Sequence, residues 1–240
     1  ELCCCTLGIP AGSVGEANFE PDELLEMLTA FAADGWQVLT HAQGDRGVRE
    51  IVDLYRDALD AAGRRGADHR WRLEHCLLAS PTDLERSLEL GVSPSFHVDH
   101  VRWYGRHLRD EILGPDRCAH LMPVGTAHRL GHRVSLHADS PMYPAGPLRL
   151  AATAVGRRTH EGEELAPHEA VDIDTALAAV TRHAAWQLGL DDVVGSLVPG
   201  QRADLCVLEA DPRTLDPAAL SEVGVVATWV DGQPVSGASL

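Results

Sequence analysis

The stretch Trp36-Gln-Val-Leu-Thr-His-Ala-Gln-Gly-Asp-Arg46 decides the fold class. Its first six residues have the apolar and β-branched content of a strand, and the polar segment after them is typical of a loop. A helical pattern follows at once, because apolar side chains recur at helical spacing at Val48, Ile51, Val52, Tyr55 and Leu59. Strand, loop and helix occur in that order, which is the repeating unit of a parallel α/β sheet.

The same unit recurs along the chain. Further strands are predicted at 71–75, 92–96 and 133–138, and helices at 21–35, 81–90, 115–130 and from Pro147 onward. Four β-then-α units in succession imply a parallel sheet with right-handed crossovers. A closed (β/α)8 barrel requires eight such units, so the sequence predicts about half of one.

The C-terminal part has a different pattern. A helix is predicted from Asp174, as its N-cap, to Leu188. Strand-like segments follow at 202–208 and 225–230, and Asp231-Gly232 is typical of a tight hairpin turn. We therefore predict two domains, a partial barrel over residues 1–190 and part of a small β-sandwich over residues 191–240.

Composition argues against several classes of function. The 240 residues include 20 Lys and Arg and 36 Asp and Glu, a formal net charge of −16, which disfavours nucleic acid and anionic membranes as partners. No segment approaches the run of about 18 apolar residues that a membrane-spanning helix needs. The six cysteines lack paired zinc-finger spacing, and Cys3-Cys4-Cys5 is interpreted as a buried or boundary segment. A reducing, cytoplasmic location is expected.

Polar side chains stand at the predicted carboxyl ends of the strands, namely His41, His75, His97 and Asp139. Functional residues of parallel α/β folds lie at this edge of the sheet. Two imidazoles and a carboxylate suit a borderline divalent ion such as zinc, with one position open for water. Asp139 beside such an ion can take a proton from water and return it to a leaving amine. The pattern therefore predicts hydrolase chemistry.

Each of these residues also has a plainer interpretation. His41 and His75 are otherwise hydrogen-bonded histidines at strand ends, and Asp139 is otherwise the N-cap of the next helix. Glu74 either orients a metal ligand or forms an ion pair with Arg72.

Two residues are candidates for substrate binding, His97 and Asp45. His97 ends the third strand, and His100 follows in a predicted loop where Trp103 and Tyr104 can wall a pocket. Asp45 either reaches substrate or forms a salt bridge within its own loop.

Two other histidines, His128 and His132, are four residues apart on a predicted helix. No Glu follows His128 and no third ligand is near in the sequence, so we assign this pair to a solvated helix face rather than to metal.

Four segments carry a family resemblance: 41–46, 72–75, 139–141 and 195–205. They occur in the order seen in metal-dependent amidohydrolases, and the chain resembles amidohydrolase family 3, the branch that includes N-substituted formamide deformylases, from about residue 35 to residue 235. The resemblance implies the C-terminal half of a TIM barrel, strands five to eight, with part of a β-sandwich. It also implies hydrolysis of non-peptide C–N bonds in small-molecule amides by metal-activated water.

By the same resemblance His41 and His75 match metal ligands at the ends of strands five and six. Asp139 matches the strand-eight aspartate that is both metal ligand and general base, and the implied cofactor is a divalent metal, with zinc favoured. Family members also carry a His-x-His pair on strand one, whereas none of the 13 histidines here forms one. The expected partner is therefore a missing N-terminal half or a second copy of the chain. The alternative is a non-catalytic fragment or divergent binding protein that retains the barrel scaffold.

Overall fold

The computed structural model describes residues 15–237, so the Cys3-Cys4-Cys5 segment lies outside the described residues. The strands are β1 (Leu39–Ala42), β2 (Arg72–His75), β3 (Ser93–Phe96), β4 (Ser135–Leu136), β5 (Leu205–Leu208), β6 (Val225–Val230) and β7 (Gln233–Gly237). The α-helices are α1 (Pro21–Ala33), α2 (Asp45–Ala61), α3 (Pro81–Glu89), α4 (Asp99–His107), α5 (Pro115–Cys118), α6 (Val124–Leu130), α7 (Pro147–Gly156), α8 (Ile173–Ala179), α9 (Arg182–Gln187) and α10 (Pro217–Leu220). Within this part of the chain, no helix is long and apolar enough to cross a membrane.

Strands β1 to β4 form one parallel sheet in chain order. Each connection between neighbouring strands contains at least one helix, as the alternating pattern predicts. Leu73 and Phe96 are fully buried in the hydrophobic core on one face of the sheet. The other face carries a polar row, because Glu74 pairs in register with Ser95 and Ser95 with Ser135.

Helix α2 forms because its buried side chains share one face of the helix. Tyr55, on that face, is fully buried and lies edge-on to Trp71, with ring centroids 4.8 Å apart. Its hydroxyl donates a hydrogen bond to the carbonyl oxygen of Arg72 at 2.9 Å and lies 2.6 Å from the Thr40 hydroxyl, which can donate to it. These bonds join the helix layer to both β1 and β2.

The second sheet is antiparallel and has the strand order β5-β6-β7. Asp231 and Gly232 join β6 to β7 with φ angles of 53° and 72°. Two successive residues with positive φ match the type I′ geometry that suits the twist of a hairpin, so the predicted turn is confirmed. The predicted strand at 202–208 begins later, at Leu205, because the amide of Asp204 turns back to the carbonyl oxygen of Arg202 at 2.9 Å.

Several predicted helices differ in their bounds. The helix expected at 115–130 is divided into α5 and α6 by a turn in which Met122 has a φ of 50°. The helix expected from Asp174 is capped by Asp172, whose carboxylate accepts a hydrogen bond from the Thr175 amide at 2.7 Å. It is also interrupted, since α8 ends at Ala179 and α9 begins at Arg182.

Two local predictions were wrong. The segment after His97 is not a loop but helix α4, whose first residue, Asp99, is buried and accepts hydrogen bonds from Arg149 and Thr153. His132 is not on a solvated helix face, because α6 ends at Leu130 and His132 is 3% exposed. A ring nitrogen of His132 lies 2.9 Å from the carbonyl oxygen of Leu84. In both segments, contacts with residues distant in the sequence determine the observed structure.

Candidate metal centre

Three imidazoles meet at the carboxyl edge of the parallel sheet. His75 is the last residue of β2, His97 follows β3, and His137 follows β4. One ring nitrogen from each lies within 4.8 Å of those of the other two. The parallel register explains the meeting, because β2, β3 and β4 end side by side.

The backbone at the end of β2 is unusual. His75 and Cys76 have φ angles of 75° and 53°, in the left-handed region that non-glycine residues seldom adopt. The Cys76 amide donates a hydrogen bond to the carbonyl oxygen of Ala42 at 3.1 Å, which fixes the turn against β1. Strain held at a strand end of this kind is typical of functional sites.

The electrostatics of the cluster keep its imidazoles neutral. Burial, with the neighbouring imidazoles, lowers the pKa of His75 to about 3. Burial likewise lowers the pKa of His97 to about 4 and that of His137 to about 4, while the charge of Asp139 acts in the opposite direction on both. Metal ions bind the neutral form of histidine, so these residues are in the ligand form at pH 7.

Hydrogen bonding leaves nitrogen atoms of the cluster available. Among the described residues, His75 Nδ1 and His137 Nε2 are buried and lack a hydrogen-bond partner. His97 Nε2 lies 3.1 Å from the carbonyl oxygen of Ala138, so Nδ1 is the ring nitrogen of His97 that can bind a metal. Buried polar atoms are seldom left unsatisfied, and a divalent ion would satisfy these. The residues present therefore fit a metal of the zinc class.

Glu74 forms the ion pair considered from the sequence, and its second oxygen lies near the cluster. Its Oε1 accepts a hydrogen bond from Arg72 Nε at 2.7 Å. Its Oε2 lies 3.8 Å from His137 Nε2. The carboxylate is thus paired with a buried arginine and lies beside the same ring nitrogen of His137 that has no hydrogen-bond partner in the described part of the chain.

The structure places the sequence-predicted ligands differently around this cluster. The His41 ring is exposed and its centroid lies 4.2 Å from that of His75. Asp139 is exposed and has a φ of 50°. Its carboxylate is not part of the group of metal-ligand atoms within 4.8 Å of one another, although its charge raises the pKa values of His97 and His137 against the effect of burial. It caps no helix, since α7 begins at Pro147 with Gly146 at its N-cap.

The predicted substrate contacts also have defined positions. His97 is 1% exposed and lies inside the imidazole cluster. Asp45 is exposed in the first turn of α2, and its carboxylate pairs with Arg117 at 2.7 Å and accepts a hydrogen bond from the Arg46 amide at 2.9 Å.

Sequence reasoning missed His137, which lies inside the predicted strand 133–138 rather than at its end. The available signal was its position two residues before Asp139, because alternate residues of a strand share a face.

An aromatic wall adjoins the cluster. The His97 and His100 rings have centroids 4.1 Å apart, and the Tyr143 ring lies 5.1 Å from that of His97. Trp103 stacks on Tyr143 with centroids 6.4 Å apart. Helix α4 therefore supplies the residues that the sequence assigned to a loop near the pocket.

An open cleft of about 430 Å³ runs along the polar face of the sheet towards the cluster. Its lining includes Arg72, Glu74, His137 and Asp139. The cleft has the size of a small-molecule site, and it brings polar groups of both signs to the rim of the imidazole cluster.

Comparison with known proteins decides the family. The profile of the amidohydrolase family, in its third branch, matches residues 5–236. The chain belongs to the amidohydrolase family. The resemblance found in the sequence is confirmed.

Individual relatives of this amidohydrolase agree. It is 30% identical over 220 residues to the N-substituted formamide deformylase of Arthrobacter pascens, covering 91% of this chain and 40% of that protein. A metal-dependent hydrolase of Pyrococcus horikoshii superposes with a TM-score of 0.72 at 24% identity over 86% of this chain and 41% of the other. A metal-dependent hydrolase of Pyrococcus furiosus gives a TM-score of 0.65 at 26% identity, covering 80% and 37%.

These comparisons confirm the fold class as a partial TIM barrel with a parallel sheet. The amidohydrolase chain spans about two fifths of the length of these relatives, with 40%, 41% and 37% covered. The four parallel strands found within residues 15–237 are half of the eight that a closed barrel needs.

Proposed function

We propose that the chain is the metal-binding part of a hydrolase that cleaves non-peptide C–N bonds in small amides. The observation that carries the proposal is the cluster of His75, His97 and His137 at the carboxyl edge of a parallel sheet. Catalytic groups of this fold class lie at that edge. The family match and the similarity to an N-substituted formamide deformylase support the choice of bond.

The ligand assignment combines the sequence and the geometry. His75, His97 and His137 hold a divalent metal, and zinc suits three imidazoles best. His41, whose ring centroid lies 4.2 Å from that of His75, adds a further ligand, so that water would bind such an ion as a fifth ligand. When bound, a divalent ion supplies Lewis acidity, which polarises a carbonyl group and makes water nucleophilic near neutral pH.

Asp139 holds and moves the proton in this proposal. Its carboxylate is exposed at the rim of the cleft and acts electrostatically on His97 and His137. A carboxylate there can accept a proton from water and deliver it to the nitrogen of the leaving amine. Glu74 meanwhile places a negative charge 3.8 Å from His137 Nε2, beside the proposed metal.

The substrate class follows from the relative and the cleft. N-substituted formamides are the first candidates, and the cleft of about 430 Å³ admits a small molecule. The aromatic side chains of Tyr143 and Trp103 flank the cluster and can contact the substituent on nitrogen. Because the relatives are longer, the chain is proposed to act together with an N-terminal half of the barrel or with a second copy.

The first experiment is metal content, measured by elemental mass spectrometry on chain loaded with Zn²⁺ and desalted. His75→Ala, His97→Ala and His137→Ala should each retain one equivalent fewer than the unsubstituted chain. His132→Asn is the matched control, because His132 is also buried but lies outside the cluster. Zinc retention equal to that of the unsubstituted chain in all three cluster variants would refute the site.

The second experiment separates binding from chemistry. Release of amine from an N-substituted formamide is followed in zinc-loaded chain and in Asp139→Asn. Hydrolysis that requires Asp139 supports the proposal. A metal-loaded chain that hydrolyses no formamide, either alone or combined with an N-terminal barrel half, favours the alternative of a non-catalytic binding protein.

A further inference from the structure

A second group of metal-ligand side chains lies outside the centre described above. It consists of His120, His168 and Glu169, and one donor atom from each lies within 4.8 Å of those of the other two. None of these residues belongs to the His75, His97 and His137 cluster. The two imidazole rings have centroids 5.3 Å apart.

The carboxylate of this group is held in place before any ion binds. Glu169 is 1% exposed and ends a 3-10 turn, Pro167–Glu169. Its Oε2 accepts a hydrogen bond from the Thr126 amide and its Oε1 one from Thr126 Oγ1, both at 2.7 Å. Each oxygen retains a lone pair, because an ionised carboxylate offers about four acceptor sites.

Gly125 allows this close approach. A Cβ atom at Gly125 would come within 3.0 Å of Glu169 backbone atoms, so only glycine lets α6 pack this tightly against the turn.

The two segments that carry the histidines are joined by one buried guanidinium. Arg157 is 1% exposed and donates to the carbonyl oxygens of Leu121 and Met122, next to His120, at 2.5 and 3.2 Å. It also donates to the carbonyl oxygen of Leu165, before His168, at 3.2 Å. The relative position of His120 and His168 is therefore fixed by the core.

Two opposing charges act on Glu169, the buried guanidinium of Arg157 and the side chain of Arg129. The Arg129 side chain is about half exposed, and its Nη2 lies 4.0 Å from Glu169 Oε2. At that distance and exposure the ion pair with Glu169 is weak, and Arg129 is held instead by hydrogen bonds to the carbonyl oxygen of His168 at 3.1 Å and to Thr126 Oγ1 at 2.9 Å. A divalent ion interacts more strongly with the same carboxylate than the arginine does, since it carries twice the charge.

We infer that His120, His168 and Glu169 form a second binding site, for a divalent transition-metal ion such as zinc. Two imidazoles and one carboxylate supply three of the four ligands of a tetrahedral zinc ion, and water can supply the fourth. The exposure of both histidines gives the ion direct access from solvent. Binding there joins the 119–123 turn to the 167–169 turn.

The test is titration of metal-free chain with Zn²⁺ by isothermal calorimetry. We expect His120→Asn and His168→Asn each to bind one equivalent fewer at this site, or to bind it at least tenfold more weakly. His128→Asn is the matched control, because His128 is also an exposed histidine in this region but is not a member of the group. The folding of each variant is checked by its metal-free unfolding midpoint, which should not change because both replaced histidines are exposed.

The same titration in a His75→Ala chain isolates the second site from the first. Zinc binding that persists in His75→Ala and is lost when His168→Asn is added supports the inference. Zinc stoichiometry and affinity that are unchanged by both His120→Asn and His168→Asn overturn it, and that result leaves the proposed catalytic centre unaffected. If zinc binding is lost in His75→Ala but not in His120→Asn or His168→Asn, the inference of a second site is wrong and the proposed catalytic centre stands.

Discussion

Gln187 offers the sharpest test of how the parallel sheet is held at its amino edge. Its side chain is fully buried, donates from Nε2 to the carbonyl oxygens of Pro94 at 3.1 Å and Arg133 at 2.7 Å, and accepts from Ser135 Oγ at 2.6 Å. Replacement Gln187→Leu removes all three bonds and leaves their partners in the core. At about 1 kcal/mol for each, the free energy of unfolding should fall by about 3 kcal/mol.

The assay is urea unfolding followed by the fluorescence of the tryptophans, of which Trp71 is fully buried. Gln233→Leu, at an exposed position in β7, is the control and should change the free energy by less than about 0.5 kcal/mol. Gln187→Glu keeps an acceptor for Ser135 but sets an ionised carboxylate against two carbonyl oxygens. The folded state raises the pKa of that carboxyl, so this variant should be closer to the unsubstituted chain at pH 4.5 than at pH 7. A loss under 1 kcal/mol in Gln187→Leu would show that the three bonds do not hold β3 and β4 to α9.

Three further predictions concern the core, protons and metal. Tyr55→Phe should cost about 1–3 kcal/mol, measured by the same unfolding assay, because it removes hydrogen bonds to Thr40 and Arg72. Burial lowers the pKa of His132 below its usual value of 6.5, so the unfolded chain binds a proton that the folded chain does not. Stability should therefore decrease as pH falls below 6.5, by up to about 1.4 kcal/mol per pH unit for this residue. Free energies of unfolding measured at pH 7, 6 and 5.5 should depend less steeply on pH in His132→Gln than in the unsubstituted chain. Chelation of metal should lower the unfolding midpoint, since an ion at 100 times its Kd stabilises the folded state by about 2.7 kcal/mol, and His75→Ala should remove the part of that response that comes from the strand-end cluster.

The fold could be predicted where local pattern and chain geometry agree. The four parallel strands, α2 and α3 follow from apolar spacing and end signals, and the hairpin follows from Asp231-Gly232, whose residues accept positive φ. Helix α4 was missed because its first residue, Asp99, is stabilised by Arg149 and Thr153, which come from a helix 50 residues later. Propensity carries no information about such a contact.

The location of the candidate site could be predicted from the sequence, but the full set of its residues could not. The strand-end rule identified His75 and His97, since parallel strands end at one edge. His137 joins them because its amide bonds to the carbonyl oxygen of Phe96 at 3.0 Å, which fixes the alignment of β4 on β3. That alignment is a property of the assembled sheet, so residue types and spacing alone could not distinguish His137 from Asp139 as the nearest neighbour of the cluster.

The polar row on the sheet has a consequence for recognition. Arg72, Glu74, Ser95 and Ser135 line the cleft where an apolar filling is common in closed barrels. A chain segment that covers this row gains little from apolar contact and must instead supply matched donors and acceptors. A mismatched surface would dehydrate the guanidinium and the carboxylate without compensation. A segment that packs on this row in the proposed assembly would therefore be selected by the pattern of its hydrogen-bonding groups, and its association should weaken as ionic strength rises.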